Sequence, residues 1–420
     1  MFNHKKTDII VLGAGPVGLT AAHALANRNM DYVLFDREKH SNTHSYALAL
    51  HPETLERLES FGLVERILES SLQLSKVAIY KDGRKKASLD YSMLPLQYPF
   101  LAVIRQSELE RILIDNLTVK SKKPMWTHRV RLIEDKDNSL NVSVDRLIEG
   151  MTGYAIAHIE MQIDKILNYK ANYLIGADGY RSTARQSAGI DFPEISPHIE
   201  YAIFEFKTDA DLPNEMRILI DGDKTHLFWP LPDGHCRWNF QVDTSTTKAN
   251  SMHKDRSFMQ FGSQHTPILD RKNLDHYLSK HAPWFNGSVE NLTWSILLNC
   301  EHRLAHHFGK GRIWLAGDSA HLIPRAGTLS MNVGMREACE LVEILSANGS
   351  EDERTKRLEQ YNRHRIAEWQ HLLDMDHHNN AADQTADWIL EHRDSLVGNI
   401  PATGETLTLL LAQLHLFDAA

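Results

Sequence analysis

The chain has 420 residues, 42% hydrophobic and 24% charged, with 22 glycines and 14 prolines; this excludes a disordered or collagen-like protein and allows two domains with cores of their own. Lys and Arg number 46 against 55 Asp and Glu, a net charge of −9, the wrong sign for a sequence-independent nucleic-acid binder. Cys236, Cys300 and Cys339 are too far apart for a disulfide framework or a zinc spacing, and no run of about 18 apolar residues offers a membrane span.

The first residues are basic and then apolar, but Asp8 and three glycines interrupt what a leader's apolar region needs, so a cytoplasmic protein is expected. Residues 8–13 read as a buried parallel strand. Gly13-Ala14-Gly15-Pro16-Val17-Gly18 follows, then an alanine-rich helical pattern to Asn27 and a second strand ending at Asp36. In a βαβ unit of about 30 residues, such glycines let the backbone approach a pyrophosphate at the helix N-terminus. Asp36, about 20 residues on, is placed for a ribose. The unit predicts dinucleotide binding.

Pro52 to Phe61 reads as a helix closed by Gly62, and Gln106 to Leu117 as another with one apolar face. Short strands are expected from 124 to 175. Residues 195–245 alternate, are rich in aromatics and turn at Pro232-Asp-Gly234, which predicts an antiparallel sheet. Residues 312–316 return to the buried-strand pattern, and helices are expected from 334 to about 395. Leu407 to Phe417 is expected to pack onto the nucleotide-binding part. The order suggests a nucleotide-binding domain interrupted by a sheet domain.

Two later segments choose between dinucleotides. Asp178-Gly179-Tyr-Arg181-Ser182-Thr-Ala-Arg185 resembles the DG motif of the single-component FAD-dependent aromatic hydroxylases, the para-hydroxybenzoate hydroxylase-like flavoprotein monooxygenases. Gly317-Asp318-Ser319-Ala320-His321, continuing through Pro324, Gly327, Met331-Asn332 and Gly334, resembles their GD motif. Arg105-Gln106 also matches a family position beside the flavin nucleotide. The resemblance implies an α/β fold: a Rossmann-like FAD-binding domain (1–190 and 290–345), an inserted, mostly antiparallel β-sheet substrate domain (191–289 with part of 76–100) and a helical C-terminal region (346–420).

It implies a monooxygenase that uses FAD, NAD(P)H and O₂ to hydroxylate a small aromatic or polyketide-like substrate through a flavin C4a-hydroperoxide. The alternatives are a flavin-dependent halogenase, whose Gly-Trp-x-Trp-x-Ile-Pro stretch is absent, and an FAD and small-molecule binder without turnover. Implied cofactor contacts are Gly13, Gly15, Gly18, Asp36, Arg37, Gln106, Asp178, Gly179, Arg181, Gly317, Asp318, Pro324, Gly327, Met331 and Asn332. Arg181 and Arg185 sit where the family makes transient NAD(P)H contacts.

Departures from the family pattern carry their own expectations. Tyr46 stands where an Arg beside FAD is usual. Arg325-Ala-Gly327-Thr-Leu-Ser330 replaces a Pro-x-Gly-Gly-Gln-Gly run, which makes Arg325 the candidate catalytic residue: its planar, permanently charged fork suits a carboxylate, a phenolate or a developing negative flavin. Trp229, Trp238, His226 and Arg217 are open between pocket and core. His371, Asp374, Asp376, His377 and His378 read as a solvated helix face, and no metal site is expected.

Overall fold

The computed structural model describes residues 4–41, 49–119, 122–136, 138–152, 158–243, 257–259, 267–323, 329–373 and 385–416. The chain opens with β1 (Lys5–Leu12), α1 (Pro16–Asn27) and β2 (Tyr32–Phe35), followed by β3 (Ala49–Leu50), α2 (Pro52–Glu59), α3 (Val64–Glu69) and β4 (Leu72–Leu74). Next come β5 (Lys76–Lys81), β6 (Arg84–Asp90), β7 (Leu101–Val103), α4 (Gln106–Val119), β8 (His128–Lys136), β9 (Ser139–Thr152), β10 (His158–Gly176) and α5 (Thr183–Ser187). Strands β11 (Glu194–Lys207), β12 (Met216–Asp221), β13 (Lys224–Leu231), β14 (His235–Val242) and β15 (Ser257–Met259) precede α6 (Arg271–His281) and β16 (Glu290–Leu304). The chain then runs through β17 (Gly309–Lys310), β18 (Ile313–Leu315) and β19 (His321–Leu322) to α7 (Ser330–Ser346), α8 (Glu351–Leu373), α9 (Asp387–Glu391), α10 (Arg393–Asn399) and α11 (Gly404–Ala412).

The first sheet runs β17-β18-β10-β1-β2, with β1 parallel to both β10 and β2. Ile9, Ile10, Val11 and Leu12 are all buried, because α1, α4, α7 and α8 join the core around this sheet; a strand covered on both sides has no polar face to alternate with. The second sheet runs β15-β16-β11-β14-β13-β12-β5-β6, with β19 attached to β16. It is antiparallel except where β12 meets β5. Strands from 76–90 thus join strands from 194–322 in one layer. A small sheet, β3-β7-β4, lies between the two.

Two expectations are corrected. The segment 124–175 forms long strands, not short ones: β9 has 14 residues and β10 has 19. Only the last part of β10 enters the parallel sheet; the rest pairs with β9 as an arm that leaves Ile148, Ile163 and Met151 exposed, the last at 76%. Beyond Leu147 of β9 the arm is largely in water and carries no sustained hydrophobic period, whereas Leu140, Val142 and Val144, nearer the parallel sheet, alternate and are buried. The C-terminal leucines pack only in part as expected: Leu407, Leu410, Leu411, Leu414 and Leu416 share a core with Leu74 and Leu101 of the small sheet, within 1–190, and equally with Val77, Ile218 and Trp229 of the second sheet. Thr406 is also bonded to Glu53 of α2. Phe417 lies outside the described residues.

Candidate functional site

The three fingerprint glycines divide the work. Gly13 has φ +95°, and a Cβ there would lie 2.2 Å from the Ala177 carbonyl oxygen; a Cβ on Gly18 would lie 1.8 Å from the Gly13 oxygen. These two close the β1–α1 turn against the Asp178 turn. Gly15 differs: nothing lies within 4 Å of its Cβ position, and it borders a cleft of about 270 Å³. As N-cap of α1, followed by Pro16, Gly15 offers no side-chain cap, so the helix presents its positive end with backbone N–H groups to spare.

Asp36 closes this end of the cleft. Its Oδ2 accepts the Ala14 N–H (2.6 Å) and its Oδ1 the Glu38 N–H (2.8 Å). Burial raises its pKa above the usual carboxylate value, with those two bonds opposing. Arg37 lines the cleft but is exposed and paired with Glu38 at 3.2 Å. Gln106, at the start of α4, donates to Glu110 (2.8 Å), and both face the cleft. Glu110, Trp126 and His128 also line it and were not singled out by sequence; the i, i+4 spacing of Gln106 and Glu110 is the one signal that points to Glu110.

The Asp178 turn is tied by its own side chain. Asp178 accepts the Ser182 hydroxyl (2.6 Å) and the N–H groups of Thr183 (2.6 Å) and Ala184 (3.3 Å), which adds to the cap that Ser182 itself gives α5 through the Arg185 N–H. Burial pushes its pKa up against these bonds. Gly179 has φ +75° and open space around its Cβ position. Arg181 is exposed beside the Tyr180 ring. Arg185 is corrected: it is buried, donates to the carbonyls of Ser319 (2.8 Å) and Tyr180 (2.7 Å) and lies 4.0 Å over Phe192. It latches the two turns together and presents no fork to a nucleotide.

The second turn sits between helices. Gly317 has φ +64°, and its Cβ would meet Val17 of α1 at 2.9 Å; a Cβ on Gly334 would meet the Gly317 Cα at 2.7 Å. Glycine thus brings the starts of α1 and α7 together at this turn. Leu329, the N-cap of α7, provides no side-chain cap. Asp318 accepts the Ser330 hydroxyl (2.6 Å). Met331 packs on the first core. The Asn332 side chain is bound to β3 and its edge, donating to the Ala49 carbonyl (2.9 Å) and accepting the His51 N–H (3.0 Å). Tyr46, Pro324, Arg325, Gly327, Asp374, Asp376, His377 and His378 lie outside the described residues, as does the His371 side chain.

Charge is also buried where the end of the small sheet meets the second sheet. Glu205 on β11 accepts from Arg237 on β14 (2.6 Å) and from Arg105 after β7 (3.1 Å). Burial alone would raise Glu205; the two guanidiniums outweigh it and hold the carboxyl below its usual range. Trp229 belongs to the core beside α11, whereas Trp238 packs on the opposite face with Phe228, Phe240 and Trp284. Arg217 stacks on Trp284 at 3.9 Å.

Asp221, His226 and His281 bring ligand-type atoms within 4.8 Å of one another. His226 Nδ1 accepts the Gln241 N–H (3.1 Å), so the neutral ring carries its proton on Nε2. A cation needs that nitrogen's lone pair, and the donor set does not fit a metal.

The arrangement fits a dinucleotide: two uncapped helix N-termini, an open glycine at one of them, and carboxylates at both turns. A model of the FAD binding domain family matches residues 6–376. The chain is 25% identical over 377 residues to pentachlorophenol 4-monooxygenase of Sphingobium chlorophenolicum, covering 88% of this chain and 63% of that protein. It is 27% identical to 6-methylpretetramide 4-monooxygenase of Streptomyces rimosus, covering 80% and 54%. The chain therefore spans between half and two thirds of the length of these two relatives. Among solved structures, p-nitrophenol 4-monooxygenase from Pseudomonas putida DLL-E4 superposes with a TM-score of 0.67 at 19% identity, covering 99% of this chain and all of that one. Among the described residues no helix is long and apolar enough to cross a membrane.

Proposed function

Because the chain belongs to the FAD binding domain family, we propose that it is an FAD-dependent monooxygenase, using NAD(P)H and O₂ to hydroxylate a small aromatic or polyketide-like substrate. Gly15 carries the reading: open space over an uncapped helix N-terminus, between two glycines whose own space is closed. The relatives' names, a pentachlorophenol and a 6-methylpretetramide monooxygenase, supply the substrate class. Bound FAD would bring the redox chemistry, taking electrons from NAD(P)H and passing them to O₂. The chain's own residues bind and orient. N–H groups at the start of α1 would hold the pyrophosphate, Asp36 a ribose and Asp318 the cofactor's polyol, while the positive start of α7 would favour the negative charge that the flavin ring gains on reduction. Arg181 is the exposed cation beside the DG turn for transient NAD(P)H binding. Arg325, from the sequence pattern, would meet an anionic substrate group. The domain division proposed is 1–190 with 290–345, 191–289 with part of 76–100, and 346–420.

The test is turnover. Protein loaded with FAD is mixed with NAD(P)H, O₂, chloride and a panel of phenols. Substrate-stimulated NAD(P)H oxidation with a product heavier by one oxygen atom is expected. A chlorinated product would make it a halogenase, and retained FAD with no stimulated oxidation would make it a binder without turnover. Gly15→Val is the control: its φ of −76° suits any residue and its Cβ meets nothing, so the variant should fold with wild-type stability and hold no FAD. A fully yellow Gly15→Val protein would remove Gly15 from the cofactor's path.

A further inference from the structure

Beneath the second turn lies a buried polar cluster that the family reading does not use. Glu337, fully buried on α7, accepts three bonds: the Gly317 N–H (2.8 Å) and His321 Nε2 (2.9 Å) on Oε2, and the Trp369 Nε1–H from α8 (3.0 Å) on Oε1. Trp369 also stacks on the His321 ring at 3.9 Å. Burial would raise the Glu337 carboxyl; His321, Trp369 and Gly317 together hold it low. From His321 the line runs outward. Its Nδ1 lies 3.5 Å from Ser330 Oγ, and the Ser330 hydroxyl donates to Asp318 Oδ1. A serine has one hydroxyl proton, and here Asp318 receives it.

We propose that Glu337, His321 and Ser330 are positioning residues that fix the Asp318 carboxylate for the cofactor. Glu337 sets the backbone of the turn through Gly317, and Ser330 sets the direction of the Asp318 side chain. Each hydrogen bond to a carboxylate on a turn of three residues between β18 and β19 narrows the rotamers open to it, and ordering it before the ligand arrives removes that cost from binding. The cluster spans α7, α8 and the turn, so the packing of the two helices is what holds the ligand-side carboxylate in place.

The inference rests on FAD as the ligand. Apo-protein is titrated with FAD and binding is read by quenching of flavin fluorescence. Ser330→Ala should raise the Kd about tenfold, the size of one lost hydrogen bond to a charged group, while the thermal midpoint of the apo-protein stays at the wild-type value. Ser330→Thr, which keeps the hydroxyl, should return the Kd to within about twofold of wild type. Glu337→Gln should also weaken FAD binding; if it does not fold, the serine pair still decides. An unchanged Kd in Ser330→Ala, or no recovery in Ser330→Thr, overturns the positioning role. Wild-type protein that binds no FAD overturns the reading beneath it instead.

Discussion

Single residues show how far spacing alone reaches. Gly13-x-Gly15-x-x-Gly18 and Asp36 are legible because a pyrophosphate demands that pattern, yet only tertiary neighbours separate the two closed glycines from the open one. Arg181 and Arg185 look alike in sequence; burial makes one a latch and leaves the other exposed. In sequence His226 is open between pocket and core, and its surroundings decide its chemistry. Burial, with His281 and the cations Lys224 and Lys280 nearby, pushes its pKa down to about 3; Asp221, on His281, is the facing anion. The folded ring is neutral where the unfolded one binds a proton below its ordinary value near 6.5. The associated stability is therefore complete above about pH 6.5 and is lost progressively as pH falls toward 3, with about 2 kcal/mol gone by pH 5. Urea unfolding at pH 7 and pH 5 should show a smaller loss in His226→Gln than in wild type. Equal losses would mean that His226 is not the group responsible.

At the scale of elements, the legible ones are those covered on both sides or closed by proline and glycine. The β1 run is continuous because both faces are covered, and α2 carries Pro52 at its start and Gly62, at φ +71°, just beyond its end. The outer part of the β9–β10 arm is not legible, because strands in water keep no apolar period. Linkage between elements was not legible at all. Arg185, at the end of α5, joins the turn after β10 to the turn after β18 through two carbonyls. Arg185→Ala should cost about 3 kcal/mol, since one buried and one part-buried carbonyl lose a charged partner. Arg181→Ala, on the exposed side of the same turn, should cost less than about 0.5 kcal/mol. Denaturant midpoints compare the two directly, and equal midpoints would return Arg185 to a surface role.

Across the whole molecule, the small sheet and the second sheet are joined by charge as well as by apolar packing. Arg105 reaches from the end of the small sheet to Glu205, whose other partner is the buried Arg237. Glu205→Gln should therefore destabilise by about 3–5 kcal/mol, because it removes the buried counter-charge that Arg237 meets through two nitrogens. Arg105→Ala removes a half-exposed partner and should cost about 1 kcal/mol. Calorimetry on both variants checks the order, and a milder Glu205→Gln would mean that water reaches Arg237. The sequence by itself determined the α/β class, the dinucleotide fingerprint and the two acidic turns, because strand burial and phosphate approach impose residue types at fixed short spacings. Only the tertiary structure decided that Glu337 and Trp369 underlie the Asp318 turn, that Glu205 bridges the sheets, and that the C-terminal leucines cover the second sheet. Those partners lie tens to hundreds of residues apart, and a buried hydrogen bond or ion pair constrains distance in space, leaving no period along the chain to read.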